Sequence, residues 1–179
     1  MKATGIVRRI DELGRIVIPK EIRRTQRIRR GDPLEIFTTG EGEVIFKKYS
    51  PVAEISAAAE QHTAVLAKRL GTTVFVCDRD GIVAAGGSGK KELYEMRVAR
   101  PLERIMDQRK TYTASRDGEQ LMPCEGCSRA ILVATPVVTA GDVIGAVGIL
   151  ASDGMTSPSA EQVLAVELSA ELLAKQMDE

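Results

Sequence analysis

Aromatic side chains are scarce in this chain of 179 residues: phenylalanine and tyrosine make up 3% of it, and tryptophan is absent. Stacking platforms for bases, flavins or haems are therefore hard to build. Histidine occurs once, as His62, so a catalytic or metal-binding histidine pair has no second member. Three cysteines, an odd count, argue against a disulfide framework and for a reducing compartment. The first twelve residues carry Lys2, Arg8, Arg9, Asp11 and Glu12, which leaves no apolar secretory segment. No apolar run approaches the ~18 residues of a membrane span; the longest, VIGAVGILA at 143–151, is about half that and twice broken by glycine. The reading is a cytoplasmic protein with no membrane partner.

Net charge is also lacking, but the zero hides a dipole. Residues 1–50 hold 12 Lys and Arg against 7 Asp and Glu, and residues 51–179 hold 13 against 18. A basic head on an acidic body points to nucleic acid for the head alone, although a solvated basic face would have the same charge. A composition of 44% apolar and 28% charged residues describes a folded chain.

Strands are expected over TGIVRRI (4–10) and RIVI (15–18), joined by the turn DELG, then a short helix opened by Pro19 over PKEIRRTQRI. Two further strands, LEIFT at 34–38 and EVIFKKY at 43–49, flank the turn TGEG. A unit of this size has little interior, since a chain of ~60 residues buries only about 60% of the surface it exposes unfolded. With neither disulfide nor metal to compensate, an obligate dimer with a shared core is the expectation.

Ser50 and Pro51 mark the boundary. Beyond it, a helix is expected over 52–70, with Ile55, Ala59, Leu66 and Leu70 on one face. Strands follow at 73–78 and 82–86, a helical region at 92–109 interrupted by Pro101, and strands near 130–138 and 143–151. A final helix runs from Pro158, capped by Ser157, to Met177. One of its stripes is Val163, Val166, Ala170, Leu173 and Met177; a second is Leu164, Leu168 and Leu172, available to another subunit. The order of elements describes an α+β chain of two domains, residues 1–50 and 51–179, the second a sensor-type domain.

Nine cations fall within 23 residues: Arg8, Arg9, Arg15, Lys20, Arg23, Arg24, Arg27, Arg29 and Arg30, opposed only by Asp11, Glu12 and Glu21. Guanidinium groups bind phosphate and the guanine edge bidentately. TGIVRRIDELGRIVIPKEIRR, followed by GDPLEIF and EVIFKKY, resembles the DNA-binding domain of the AbrB-type transition-state regulators. That resemblance implies a swapped-hairpin β-barrel dimer on double-stranded DNA, contacted through Arg8, Arg15, Arg23 and Arg24, with Arg9 and Lys20 in the same basic set. Over its full length, through CDRDGIV, MDQR at 106–109, GDVIGAVGIL and LLAKQMDE, the chain resembles regulators of spore development in which such a head precedes a GAF domain. This implies a tetramer, a GAF-like domain for assembly and possible small-molecule sensing, and both activation and repression of genes.

Cys124-Glu125-Gly126-Cys127 is a C-x-x-C, and Cys77 lies on an expected strand. Three thiols lack the fourth ligand of a structural zinc site, so the cluster reads as an inert loop pair or a thiol-based redox or metal sensor. IVAAGGSGKKEL at 82–93 fails the phosphate-loop pattern, holding Ala84 where glycine is required and Lys91 where serine or threonine is. His62 reads as a packed or interfacial residue. The chain is thus read as a non-enzyme without a cofactor. An antitoxin is the remaining alternative, since swapped-hairpin heads occur there with a short, disordered tail, whereas residues 52–179 are patterned to fold.

Overall fold

The computed structural model describes residues 4–54, 56–94, 96–152 and 154–177. The chain divides into two compact units, one ending at Tyr49 and one beginning at Ser50.

In the first unit, helix α1 spans Lys20–Thr25, shorter at both ends than expected. Pro19 combines φ −57 with ψ 148, so it is the residue before the helix and not its first turn. At the other end Arg27 adopts φ 52. Its N–H bonds Arg24 O at 3.3 Å while the Ile28 N–H reaches back to Arg23 O at 2.7 Å, the reversed turn that closes a helix. An L-residue there costs about 1–2 kcal/mol, and Lys48 Nζ donates to the Arg27 carbonyl at 3.0 Å from across the unit. Lys48 also pairs with Asp32 at 3.3 Å, whose Oδ2 accepts the Arg29 N–H at 2.8 Å. Strands β1 (Leu34–Thr38) and β2 (Val44–Lys48) form an antiparallel hairpin, Ile36 opposite Phe46.

The expected strands at 4–10 and 15–18 belong to no ladder among the described residues. Only their connecting turn is built: the Asp11 N–H bonds Arg15 O at 3.1 Å and the Gly14 N–H bonds Asp11 O at 3.0 Å, with Gly14 at φ 75. The physical reason lies in burial. Pro19 alone is buried among the described residues of this unit, so nothing in one chain covers the apolar faces of those segments.

The second unit is built on a five-stranded antiparallel sheet of order β4-β3-β7-β6-β5. The strands are β3 (Val74–Asp78), β4 (Ile82–Gly86), β5 (Tyr112–Thr113), β6 (Ile131–Thr139) and β7 (Asp142–Leu150). Helices α2 (Pro51–Glu54), α3 (Ser56–Leu70), α4 (Arg100–Gln108) and α5 (Ala160–Met177) complete it. Ile55, expected on the face of the first long helix, lies outside the described residues. Both faces of the sheet are covered, which is why β3 and β7 read as continuous apolar runs. Phe75 and Cys77 pack with Leu102 and Met106 of α4 and with Leu150. Val74 and Val76 face the other way, against Val147, Val166, Ala170 and Leu173. Gly148 is required at the centre, because a β-carbon there would run into the Phe75 ring.

Three boundaries differ from expectation. Residues 93–99 are not helical; they bridge the sheet through Gly81 with Arg97 and Val98 with Cys124, so α4 starts at Arg100 with Pro101 in its first turn. The short strand β5 had no signal, being two residues long. Helix α5 begins after Ser159 and not at Pro158. The Ser159 Oγ accepts the Gln162 N–H at 3.3 Å and the Gln162 Oε1 accepts the Ser159 N–H at 2.9 Å, a reciprocal cap that overrides Ser157.

Candidate nucleic-acid interface

Asp11 builds the turn that presents Arg15. Its Oδ1 accepts the N–H of Arg15 at 2.8 Å and of Leu13 at 3.0 Å, and its Oδ2 accepts Arg15 Nε–H at 2.8 Å. The Arg15 backbone N–H, then the Arg15 side chain, and lastly the Leu13 N–H hold this carboxyl below the usual carboxylate range. Because the pair is exposed, 70% for the arginine side chain and 41% for the aspartate, its value is geometric. Engaging Nε leaves the two terminal nitrogens of Arg15, four N–H donors, for a ligand.

Arg23 and Arg24 occupy the last turn of α1, with Lys20 at its start, and all three are exposed. The partial negative charge of a helix end favours cations there. Their place is fixed by the closing turn at Arg27, tied to β2 through Lys48. Arg8 and Arg9 lie on the exposed segment before the turn, where Arg8 Nη1 makes only a local bond to Val7 O at 3.4 Å. The structure thus gathers Lys20, Arg23 and Arg24 on one helix and leaves Arg8, Arg9 and Arg15 on the adjoining hairpin segment. Sequence reasoning missed Asp11 and the Asp32–Lys48 pair. Asp11 was counted only as an opposing charge, though an aspartate at the head of a turn, four residues before an arginine, is the signal of such a turn.

Around these cations runs an apolar surface. Val7 is 85% exposed, Leu13 75%, Val17 72%, Ile10 65% and Ile36 61%. Exposed apolar surface on that scale marks an interaction face.

The thiols lie elsewhere, in the second unit. Cys77 is fully buried on β3, and burial, then the Asp78 charge, push its thiol far up. Cys124 and Cys127 sit at the two ends of a turn against the same apolar cluster. Among the described residues no three His, Cys, Asp or Glu side chains are grouped to hold a metal, and His62 is half-buried on α3. The space between the sheet and α4 is packed with apolar side chains. A cleft of about 620 Å³ opens instead beside the edge strand β4, floored by Ala64, Ala85 and Gly86 and rimmed by Glu60, Lys68 and Tyr94.

Comparison with known proteins follows the division into units. The sequence profile described as Stage V sporulation protein T C-terminal, transcription factor, matches residues 54–178. The profile described as Antidote-toxin recognition MazE, bacterial antitoxin, matches residues 7–54. Stage V sporulation protein T of Bacillus subtilis (strain 168) is 49% identical over 181 residues, covering 100% of both chains. Transition state regulatory protein AbrB of the same organism is 59% identical over 51 residues, 28% of this chain and 52% of its own length. Among solved structures, a methyl-accepting chemotaxis protein superposes with TM-score 0.58 at 15% identity, over 70% of this chain and 90% of that one. The GAF domain of a phosphoenolpyruvate-protein phosphotransferase from Coxiella burnetii superposes with TM-score 0.54 at 14% identity, over 69% and 82%. These last likenesses show the fold of the second unit, which is a GAF fold. With an AbrB-like head, a GAF-fold body and a relative matched from end to end, the chain belongs to the stage V sporulation protein T family of transcription factors.

Proposed function

We propose that this sporulation transcription regulator grips double-stranded DNA through a head made by two chains. Residues 1–50 form the DNA-binding domain, in which two copies exchange hairpins into one barrel. Arg8, Arg15, Arg23 and Arg24 contact the duplex, assisted by Arg9 and Lys20. The observation that carries this reading is the coincidence, in one small unit, of exposed guanidinium groups with an exposed apolar face. Covering that face with a second chain would bring the arginines of both copies onto one surface. Asp11 would orient Arg15 by taking Nε and leaving the fork that matches phosphate. The protein would act in the cytoplasm, without catalysis and without a resident cofactor.

Residues 51–179 act in this reading as the regulatory and oligomerisation domain. Leu164, Leu168 and Leu172 stay 56%, 50% and 53% exposed along one side of α5, while the stripe through Val166, Ala170 and Leu173 is buried. Their spacing of four residues suits a partner helix, and a tetramer built there would join two heads on one DNA and raise affinity without a new contact to it. The antitoxin reading is the weaker, because the part after residue 50 is folded around a core on both faces of its sheet.

Titration of a labelled duplex over a range of salt tests the proposal. With six to eight phosphates neutralised, the slope of log affinity against log salt should be about −5 to −7. A slope near zero, or undiminished binding by a variant carrying both Arg23→Ala and Arg24→Ala, would remove the head from the interface.

A further inference from the structure

The pair Cys124 and Cys127 has no part in DNA binding, yet its geometry is specific. Residues 124–127 form a turn in which the Cys127 N–H bonds Cys124 O at 3.4 Å, and Gly126 takes φ 80, the value that a type II turn requires at its third residue. Such a turn brings its end residues within about 7 Å, close to the roughly 4.4–6.8 Å separation that a disulfide spans. The two side chains are already in hydrogen-bond contact. The backbone around them is tied down: the Ala99 N–H bonds Pro123 O at 2.9 Å, and the Ile131 N–H bonds Leu121 O at 2.7 Å. Closing a bond between the sulfurs therefore asks for side-chain rotation and little else.

The two thiols are not equivalent. Cys124 is buried, whereas Cys127 is partly exposed and holds its S–H on the Arg129 carbonyl at 3.4 Å. We propose that Cys124 and Cys127 form a thiol–disulfide exchange site for low-molecular-weight disulfides, with Cys127 the attacking thiol and Cys124 the resolving one. In the first step the Cys127 thiolate attacks one sulfur of the small disulfide; that S–S bond breaks, a mixed disulfide forms and one small thiolate leaves. In the second, Cys124 gives its proton to solvent and attacks Cys127 Sγ, the mixed bond breaks and the second small thiolate leaves. The protein pair has lost two electrons and two protons, and the small disulfide has become two thiols. Burial, then the neighbouring Cys127, push the Cys124 thiol up to about 12. Entry at Cys127 is therefore favoured, and the closed bond resists reduction, because no stabilised thiolate rewards its opening.

The test uses the full-length chain, reduced and then exposed to glutathione disulfide, with intact mass and peptide mapping after alkylation. The expected product has lost two hydrogen atoms, carries one 124–127 linkage and keeps one alkylatable thiol, Cys77. Cys124→Ala should retain a glutathione adduct on Cys127, and Cys127→Ala should keep both remaining thiols reduced. Wild-type protein that keeps three free thiols, stops at a stable glutathione adduct, or links either cysteine to Cys77 would overturn the proposal. The wild-type result alone decides this if either variant fails to fold.

Discussion

The two units of this chain solve the burial problem in different ways. The unit from Ser50 onward covers both faces of a five-stranded sheet with its own helices, so Phe75, Leu102, Leu132, Ile149 and Leu173 are out of water within a single copy. The first unit has comparable apolar side chains in Val7, Ile10, Ile16, Val17, Ile36 and Phe46, and leaves all of them exposed. Hydrophobic side chains at regular strand spacing are wasted unless something covers them. The contrast teaches that the body is stable by itself and the head is completed by another copy, which makes a shared core and a doubled arginine surface parts of the same event.

The comparison can be broken most sharply by cutting one side chain in each unit. Phe75→Ala empties the body's core and should cost about 3–5 kcal/mol, lowering the thermal midpoint by roughly 10 °C at every protein concentration. Phe46→Ala should weaken the head in a way that depends on concentration, with a first unfolding step that moves to lower temperature on dilution. A Phe46→Ala effect independent of concentration would mean that the head is a single-chain fold after all. Calorimetry over a hundredfold dilution series reads both.

Next in size is the outer stripe of α5. Leu168→Glu places a charge at its centre and should halve the assembly, seen by sedimentation. On a duplex with two sites it should lose on the order of a hundredfold in affinity, the benefit of joining two heads, while single-site binding stays the same. Arg23→Ala should act on the head alone, weakening DNA binding about tenfold at moderate salt and making the salt slope shallower by about one, with the dimer intact.

The smallest expected effect belongs to Asp11. Asp11→Asn keeps an acceptor for the Leu13 and Arg15 N–H groups but loses the ion pair, so DNA affinity should fall only a few-fold, by less than with Arg15→Ala. The Asp11 carboxyl is depressed in the folded chain. The stability it confers is therefore fully present above about pH 4, the unfolded value, and is lost as pH falls through the lower folded value. A carboxyl-carbon NMR titration should place its midpoint below that of a free aspartate; a midpoint at or above it would remove Asp11 from its role.

Much of the body was legible because its hairpins join apolar runs over turns whose residues declare themselves, as in RDG at 79–81 and TAGD at 139–142. Helix α5 was legible through its buried stripe, but its start was not: Ser157 and Pro158 carry the ordinary signal, and the reciprocal cap of Ser159 with Gln162 overrides it. The stop of α1 was hidden because an arginine, not a glycine, holds the reversed conformation there, kept in place by Lys48 from 21 residues away. In the head, alternation marked segments 4–10 and 15–18 as strands, but a ladder is a property of partners, and one chain supplies none. The candidate arginines were found through residue type and spacing, whereas the carboxylate that aims Arg15 was seen only as charge.

The most direct test of the shared head is NMR on full-length protein mixed from isotope-labelled and unlabelled copies, recording only contacts between copies. The account predicts cross-copy contacts from the Val7, Ile16 and Val17 methyl groups to the hairpin bearing Ile36 and Phe46. Contacts confined to single copies, with those methyl groups still exposed to water, would contradict it.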